Sequence, residues 1–225
     1  MRLVLLAALV VAAAGVAAAP PAPLHNECRG IQQCISVPGP WVVVPGHGTA
    51  QFLLTCPKGV VAGLDSVVTS REVHVSFVAR LGAPVQPGQT TSRSALFEAV
   101  TTSSRTSAFQ PFLGCVPQQG GGGRSTVSAR VTPAGPSLEY RSRVVHMLPG
   151  DVKVARVSCL RYETLVGGWH AIAFRTKQPP NLAGAAHVHA THVLGRRTVV
   201  GTATSTDSLS PDANTIVQTG AVCAP

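Results

Sequence analysis

Three histidines fall in one short run, His187-Val188-His189-Ala190-Thr191-His192. On an extended chain, residues two apart share a face, so His187 and His189 would stand roughly 6.5–7 Å apart on one side. Two neutral imidazoles so placed can hold one zinc or copper ion. His192 has the opposite parity and joins them only through a bulge or a strand end. His146 and His170 are candidates for a third ligand. The same spacing equally fits two solvent-facing side chains opposite a core face of Ala186, Val188 and Ala190. No carboxylate lies in this run. No cofactor other than such a zinc or copper ion is indicated.

Hydrolytic chemistry leaves no comparable trace. The chain has no G-x-S-x-G elbow, no H-E-x-x-H and no S-x-x-K. Its nine acidic residues are dispersed, and Asp207 with Asp212 is the closest late pair. Asp207-Ser208-Leu209-Ser210-Pro211-Asp212 reads as a polar loop, since Asp, Ser and Pro all favour turns. Gly120 to Gly123 lack the GK[ST] ending of a phosphate-binding loop and read as a flexible joint. Trp41 and Trp169 occupy comparable places early in two parts of the chain, and each suits a core position packed on a disulfide.

The six cysteines, Cys28, Cys34, Cys56, Cys115, Cys159 and Cys223, contain no C-x-x-C pair. An even count without metal-ligand spacing points to disulfides in an exported chain. The beginning supports export. Met1 and Arg2 precede an apolar run from Leu3 to Ala19 that ends in small residues, the make-up of a secretory leader. No later run reaches the ~18 apolar residues of a membrane span. A secreted or envelope location is therefore expected, with no stable membrane span once the leader is cleaved.

The net charge is +9, with Arg far outnumbering Lys and the basic residues scattered. Such a surface suits an anionic cell-wall polymer or carbohydrate. Aromatics make up only 4% of the chain, too few for a base-stacking platform, so nucleic acid is not an expected partner.

The elements that must position these residues read as strands. Charged residues are only 12%, and 22 Gly and 18 Pro punctuate the chain. Such a composition excludes coiled coils and charged helical bundles. Val73, Val75, Phe77 and Ala79 alternate with polar positions. The strand around Trp169, Ala171 and Ala173 has apolar residues on both faces. Residues 197–206 and 214–223 are rich in Thr and Val, which suit strands. Turns are expected at Pro38-Gly39, Pro45-Gly46, Pro87-Gly88 and Pro149-Gly150. No segment after the leader sustains a helical apolar stripe.

Two stretches of the chain also resemble each other. The first runs Val42-Val43-Val44-Pro45-Gly46, then a strand to Cys56, then Val60-Val61-Ala62-Gly63. The second runs Val144-Val145-His146-Met147-Leu148-Pro149-Gly150, then a strand to Cys159, then Thr164-Leu165-Val166-Gly167-Gly168. Each ends on a further cysteine, Cys115 or Cys223, at a similar interval. The expected architecture is all-β. A leader (1–19) precedes a β-sandwich (20–117), a Gly-rich linker (118–126) and a second β-sandwich (127–225), the two sandwiches being antiparallel and in tandem. Six cysteines allow about 15 pairings. The repeat selects Cys56 with Cys115 and Cys159 with Cys223, leaving Cys28 for Cys34.

The window Cys56-Pro57-Lys58-Gly59-Val60-Val61-Ala62-Gly63, with its weaker copy at Val166-Gly167-Gly168, resembles secreted β-rich proteins of high-GC Gram-positive bacteria whose function is unassigned. The resemblance implies a secreted β-rich class and no particular activity. Taken together, the residues point to an exported non-enzymatic protein with a binding or structural role. The alternative is a secreted metal-binding protein or hydrolase using His187 and His189.

Overall fold

The structure, a computed structural model, describes residue 28 and residues 34–57, 59–79, 93–116 and 138–225. The expected leader, the Gly-rich linker and the Pro87-Gly88 turn lie outside the described residues. The described chain is all-β apart from two short 3-10 turns, Leu182–His187 and Pro211–Ala213. Among the described residues no helix is long and apolar enough to cross a membrane.

The first half supplies β1 (Ile35–Pro38), β2 (Trp41–Val44), β3 (Thr49–Thr55), β4 (Val60–Val68), β5 (Val73–Val78), β6 (Ser94–Thr101) and β7 (Ser107–Val116). The second supplies β8 (Glu139–His146), β9 (Val152–Ser158), β10 (Thr164–Phe174), β11 (Val188–Leu194), β12 (Thr198–Ser205) and β13 (Thr215–Ala224). In the first half a sheet ordered β3-β6-β5 faces strands ordered β4-β7-β2, with β1 extending the β2 side of β7. In the second, β9-β12-β11 faces β10-β13-β8. Every pairing is antiparallel.

The pairing orders match strand for strand, and so do their irregularities. The register of β4 on β7 slips between Val61 and Gly63, just past the Val61–Cys115 pair. The register of β10 on β13 slips between Leu165 and Gly167, just past the Leu165–Cys223 pair. Each slip is a bulge with one residue, Ala62 or Val166, inserted before a glycine.

The three disulfides are Cys28–Cys34, Cys56–Cys115 and Cys159–Cys223. The two long ones span 59 and 64 residues, and each joins the two sheets of its own half. In the chain-entropy picture a loop of that length removes about 4 kcal/mol of freedom from the unfolded chain.

Local chemistry explains the corners. The chain turns at Pro45-Gly46 and again at Pro149-Gly150. Gly150 has φ +73°, and a side chain there would meet Asp207 Oδ1 at 2.7 Å. Asn214, at φ 45°, closes the second 3-10 turn and starts β13, a conformation Asn tolerates better than most residues.

One feature was not expected from two sandwiches joined by a linker. The two halves share a sheet: β2 pairs with β10 through Val42–Ala173 and Trp41–Phe174, so seven strands run through both. The run Trp41-Val42-Val43-Val44 is buried at every position. A strand apolar on both faces belongs inside a sheet, where neighbours cover both sides. The largest core cluster accordingly crosses the seam, packing Val42, Phe52, Phe97 and Phe109 with Ala171, Ala173 and Ile216. A second cluster, with Met147, Val188, Ala190, Ala203 and Val217, belongs to the second half alone.

The expected apolar face of β5 is interrupted at Phe77, since Ala79 just past the strand again packs partly against the core. Val73 is buried, Val75 is partly covered, and Phe77 is exposed. β5 is an outer strand of its sheet, which leaves Phe77 uncovered.

Candidate functional site

The seam between the halves carries a buried polar contact that fixes their relation. Gln218, on β13, is 2% exposed. Its Oε1 accepts from the Leu53 backbone N–H at 2.7 Å and from Trp169 Nε1 at 3.3 Å, while its Nε2 donates to the Leu53 carbonyl at 2.9 Å. Leu53 lies on β3, an outer strand of its sheet, so the side-chain amide satisfies backbone groups that no neighbouring strand reaches there. Trp169 packs with Leu53 and Leu96 of the first half, not on a disulfide. Its ring lies against Gly220, where an added Cβ would sit 2.0 Å from the indole.

Beside this contact is a cleft of about 290 Å³. Its first-half wall comes from Val43, Pro45 and Thr49 to Gln51, and its second-half wall from Gly168 to Ile172 with His192. The lining has no formally charged side chain, and its titratable groups are two imidazoles. His170, on β10, brings Nδ1 to 2.8 Å from Nδ1 of His192, on β11, and their ring centroids are 5.1 Å apart with planes at 55°. Two facing nitrogens at that distance share one proton, so one ring donates and the other accepts. Burial disfavours the charged form of His170 and lowers its pKa, and nearby His192 and His189 push in the same direction.

The histidines singled out from the sequence are divided by the fold. His187 ends the first 3-10 turn, and its Nδ1 lies 3.1 Å from Thr206 Oγ1. His189 is exposed on β11, with Val188 and Ala190 buried on the opposite face. Ala186, expected on that core face, is exposed because the 3-10 turn precedes the strand. His192 has the inward parity of Val188 and Ala190, which carries it toward β10 and His170. His146 ends β8, and its carbonyl accepts from Lys153 Nζ at 2.5 Å. Asp207 and Asp212 lie in the turns after β12.

One buried charge was missed from sequence. Glu163 takes a two-pronged contact from Arg141, at 2.6 and 2.8 Å, and accepts from the Leu160 N–H at 2.7 Å. The hydrogen bonds from Arg141 hold its carboxyl below the usual range; burial opposes them, and the Leu160 bond and the Arg141 charge reinforce them. Glu163 also meets Cys159 and Cys223, the group of three potential metal-ligating side chains that converges among the described residues. The sulfurs there are committed to a disulfide and the carboxylate to Arg141. In the sequence Arg141 is one of the scattered basic residues. Nothing local to Glu163 announces a partner 22 residues away.

No family model, no curated protein and no solved structure matches this chain.

Proposed function

We propose that the protein is exported and acts outside the cell as a non-enzymatic binding or structural component, built from two tandem copies of one sandwich unit. Cysteine pairing carries the reading: three bridges form and no described cysteine is free. Bridges of this kind persist in oxidising compartments outside the cytosol. The matching strand orders and the matching bulges beside Cys115 and Cys223 support duplication. On this reading the first 19 residues are a leader removed on export. Removal of the leader takes Arg2 with it and leaves +8 of the chain's net +9, which favours an anionic wall polymer or carbohydrate as the contacted surface.

The test is fractionation of the natural host combined with intact mass. A secreted or wall-associated chain, shortened by about 18–22 residues and carrying three disulfides, is the expected result. Retention inside the cell with reduced thiols overturns the reading. Pull-down on anionic wall polymer should weaken at high salt, because exposed charges are screened beyond about 10 Å at 0.1 M. A screen against polysaccharides, esters and peptides tests the non-enzymatic part. Turnover abolished by His187→Ala with His189→Ala would replace that part with the hydrolase alternative.

A further inference from the structure

We propose that the protein binds further copies of itself head to tail, the second half of one molecule docking on the first half of the next in the manner of the internal seam. The inference rests on reading the halves as two copies of one unit. The seam joins unlike surfaces, β2 and β3 on the first-half side and β10 and β13 on the second-half side. By strand order the second half carries its own version of the first surface, on β8 and β9. The first half carries its own version of the other, on β4 and β7. Both versions keep an unpaired edge: among the described residues β8 pairs only with β13 and β4 only with β7. Contact between such unlike surfaces is heterologous, so it repeats from copy to copy.

Register gives each seam residue a counterpart. Leu53 pairs with Leu96 as Arg156 pairs with Val200, and each precedes a bridged cysteine by three residues. Thr49 and Gln51 therefore correspond to Val152 and Val154. Val61 pairs with Cys115 as Leu165 pairs with Cys223, so Ser66, Val67 and Val68 correspond to His170, Ala171 and Ile172. Phe77, opposite Phe97, corresponds to His192, opposite Gly201. Val144 and Val145 on β8 take the places of Trp41 and Val42, through which β2 meets β10.

The chemistry changes on both surfaces together. In the seam, Thr49 and Gln51 line the cleft with His170 and His192. On the unpaired surfaces, two valines stand in for Thr49 and Gln51, and Phe77 stands in for His192. Val152 is 72% exposed, Val154 49% and Phe77 49%. Leu148, in the turn beside the two valines, is 57% exposed. Large apolar side chains left open on two surfaces that match by register mark a contact made by another molecule. Where the seam sets Trp169 on Leu53, the repeated contact sets Asp65 against Arg156, which are opposite in charge. A second copy of this chain supplies both the apolar mate and the charge.

The experiment is analytical ultracentrifugation of the tag-free, fully oxidised protein over a concentration series. The parent protein should grow in mass with concentration, past two chains. Val152→Asp with Val154→Asp blocks the second-half surface, and Phe77→Asp blocks the first-half surface. Each places a carboxylate in an apolar contact and should raise the dissociation constant about tenfold or more. All three positions are exposed, so the variants should fold, and unchanged melting curves check this. Mixed in equal amounts, the two variants should form a dimer and nothing larger, because each keeps the surface that the other lacks. A parent protein that stays monomeric throughout the series overturns the proposal. Self-association undiminished in either variant, or no dimer in the mixture, overturns it equally. A monomer leaves the reading of two copied units standing, since strand order and register do not depend on association.

Discussion

Gln218 does the work of a strand at one point. Its amide replaces the backbone partner that Leu53 lacks on the open side of β3, and it also satisfies the Trp169 indole. Gln218→Ala strands three buried polar groups, each costing about 1–3 kcal/mol when left unpaired. Thermal melting should fall by at least about 5 °C, given ~2–4 °C per kcal/mol at this chain length. Gln110 has the same register on β7 as Gln218 has on β13, but among the described residues its side chain bonds only the Gly39 carbonyl, so Gln110→Ala should cost clearly less. Equal losses would show that the seam contact carries no special weight. Glu163 gives a prediction in pH. Its folded pKa is depressed, so its stabilisation is present above the ordinary carboxyl pKa and lost as pH falls through the folded value. The melting gap between the parent protein and Glu163→Gln should be widest near neutrality and shrink below about pH 4. A gap constant down to pH 3 counts against the ion pair. These residues show how far sequence reaches at this scale. The parity that turned His192 inward was readable from alternation. Its meeting with His170 was not, because that depends on which strands of two sheets face each other.

At the scale of elements, the strands follow from alternation, β-branched runs and turn dipeptides, all of which act within a few residues of the chain. β12 and β13 lie where Thr and Val are dense, and β2 is a continuous apolar run buried throughout. The bulges at Ala62 and Val166 were foreshadowed by the paired glycine-ended windows. Each bulge sits beside a long disulfide, so the slip and the bridge fix one corner of each unit together. Replacing Cys56 and Cys115 with Ser should cost about 2–5 kcal/mol, as should replacing Cys159 and Cys223. Denaturant melts of the two variants check this, and a loss in only one would mean that the units do not depend alike on their bridges. The β2–β10 pairing was not legible. Both strands read as buried, but an apolar run does not name its neighbour, and the two are more than a hundred residues apart.

At the scale of the molecule, one sheet and two core clusters cross the seam, so the halves should melt together. Calorimetry of the parent protein should give a single transition whose calorimetric and van't Hoff enthalpies agree. Trp169→Ala removes the indole from Leu53 and Leu96, at about 3–5 kcal/mol for a buried large aromatic, and should split the transition in two. Two transitions in the parent protein would mean that the seam is too weak to couple the halves. The seam also has a direction. It joins the β2 side of one unit to the β10 side of the next, and β10 corresponds to β4 of the first unit. A joint between unlike rims has no inherent stop: a further molecule could add β8 to β4 and go on adding, as fibres do. The far rim differs from the joined one. Counting from the matched bulges, Asp65 stands on β4 where Trp169 stands on β10, and its carboxylate accepts from the Ser66 N–H at 2.7 Å. At that rim a carboxylate stands at the register position that an indole holds on β10.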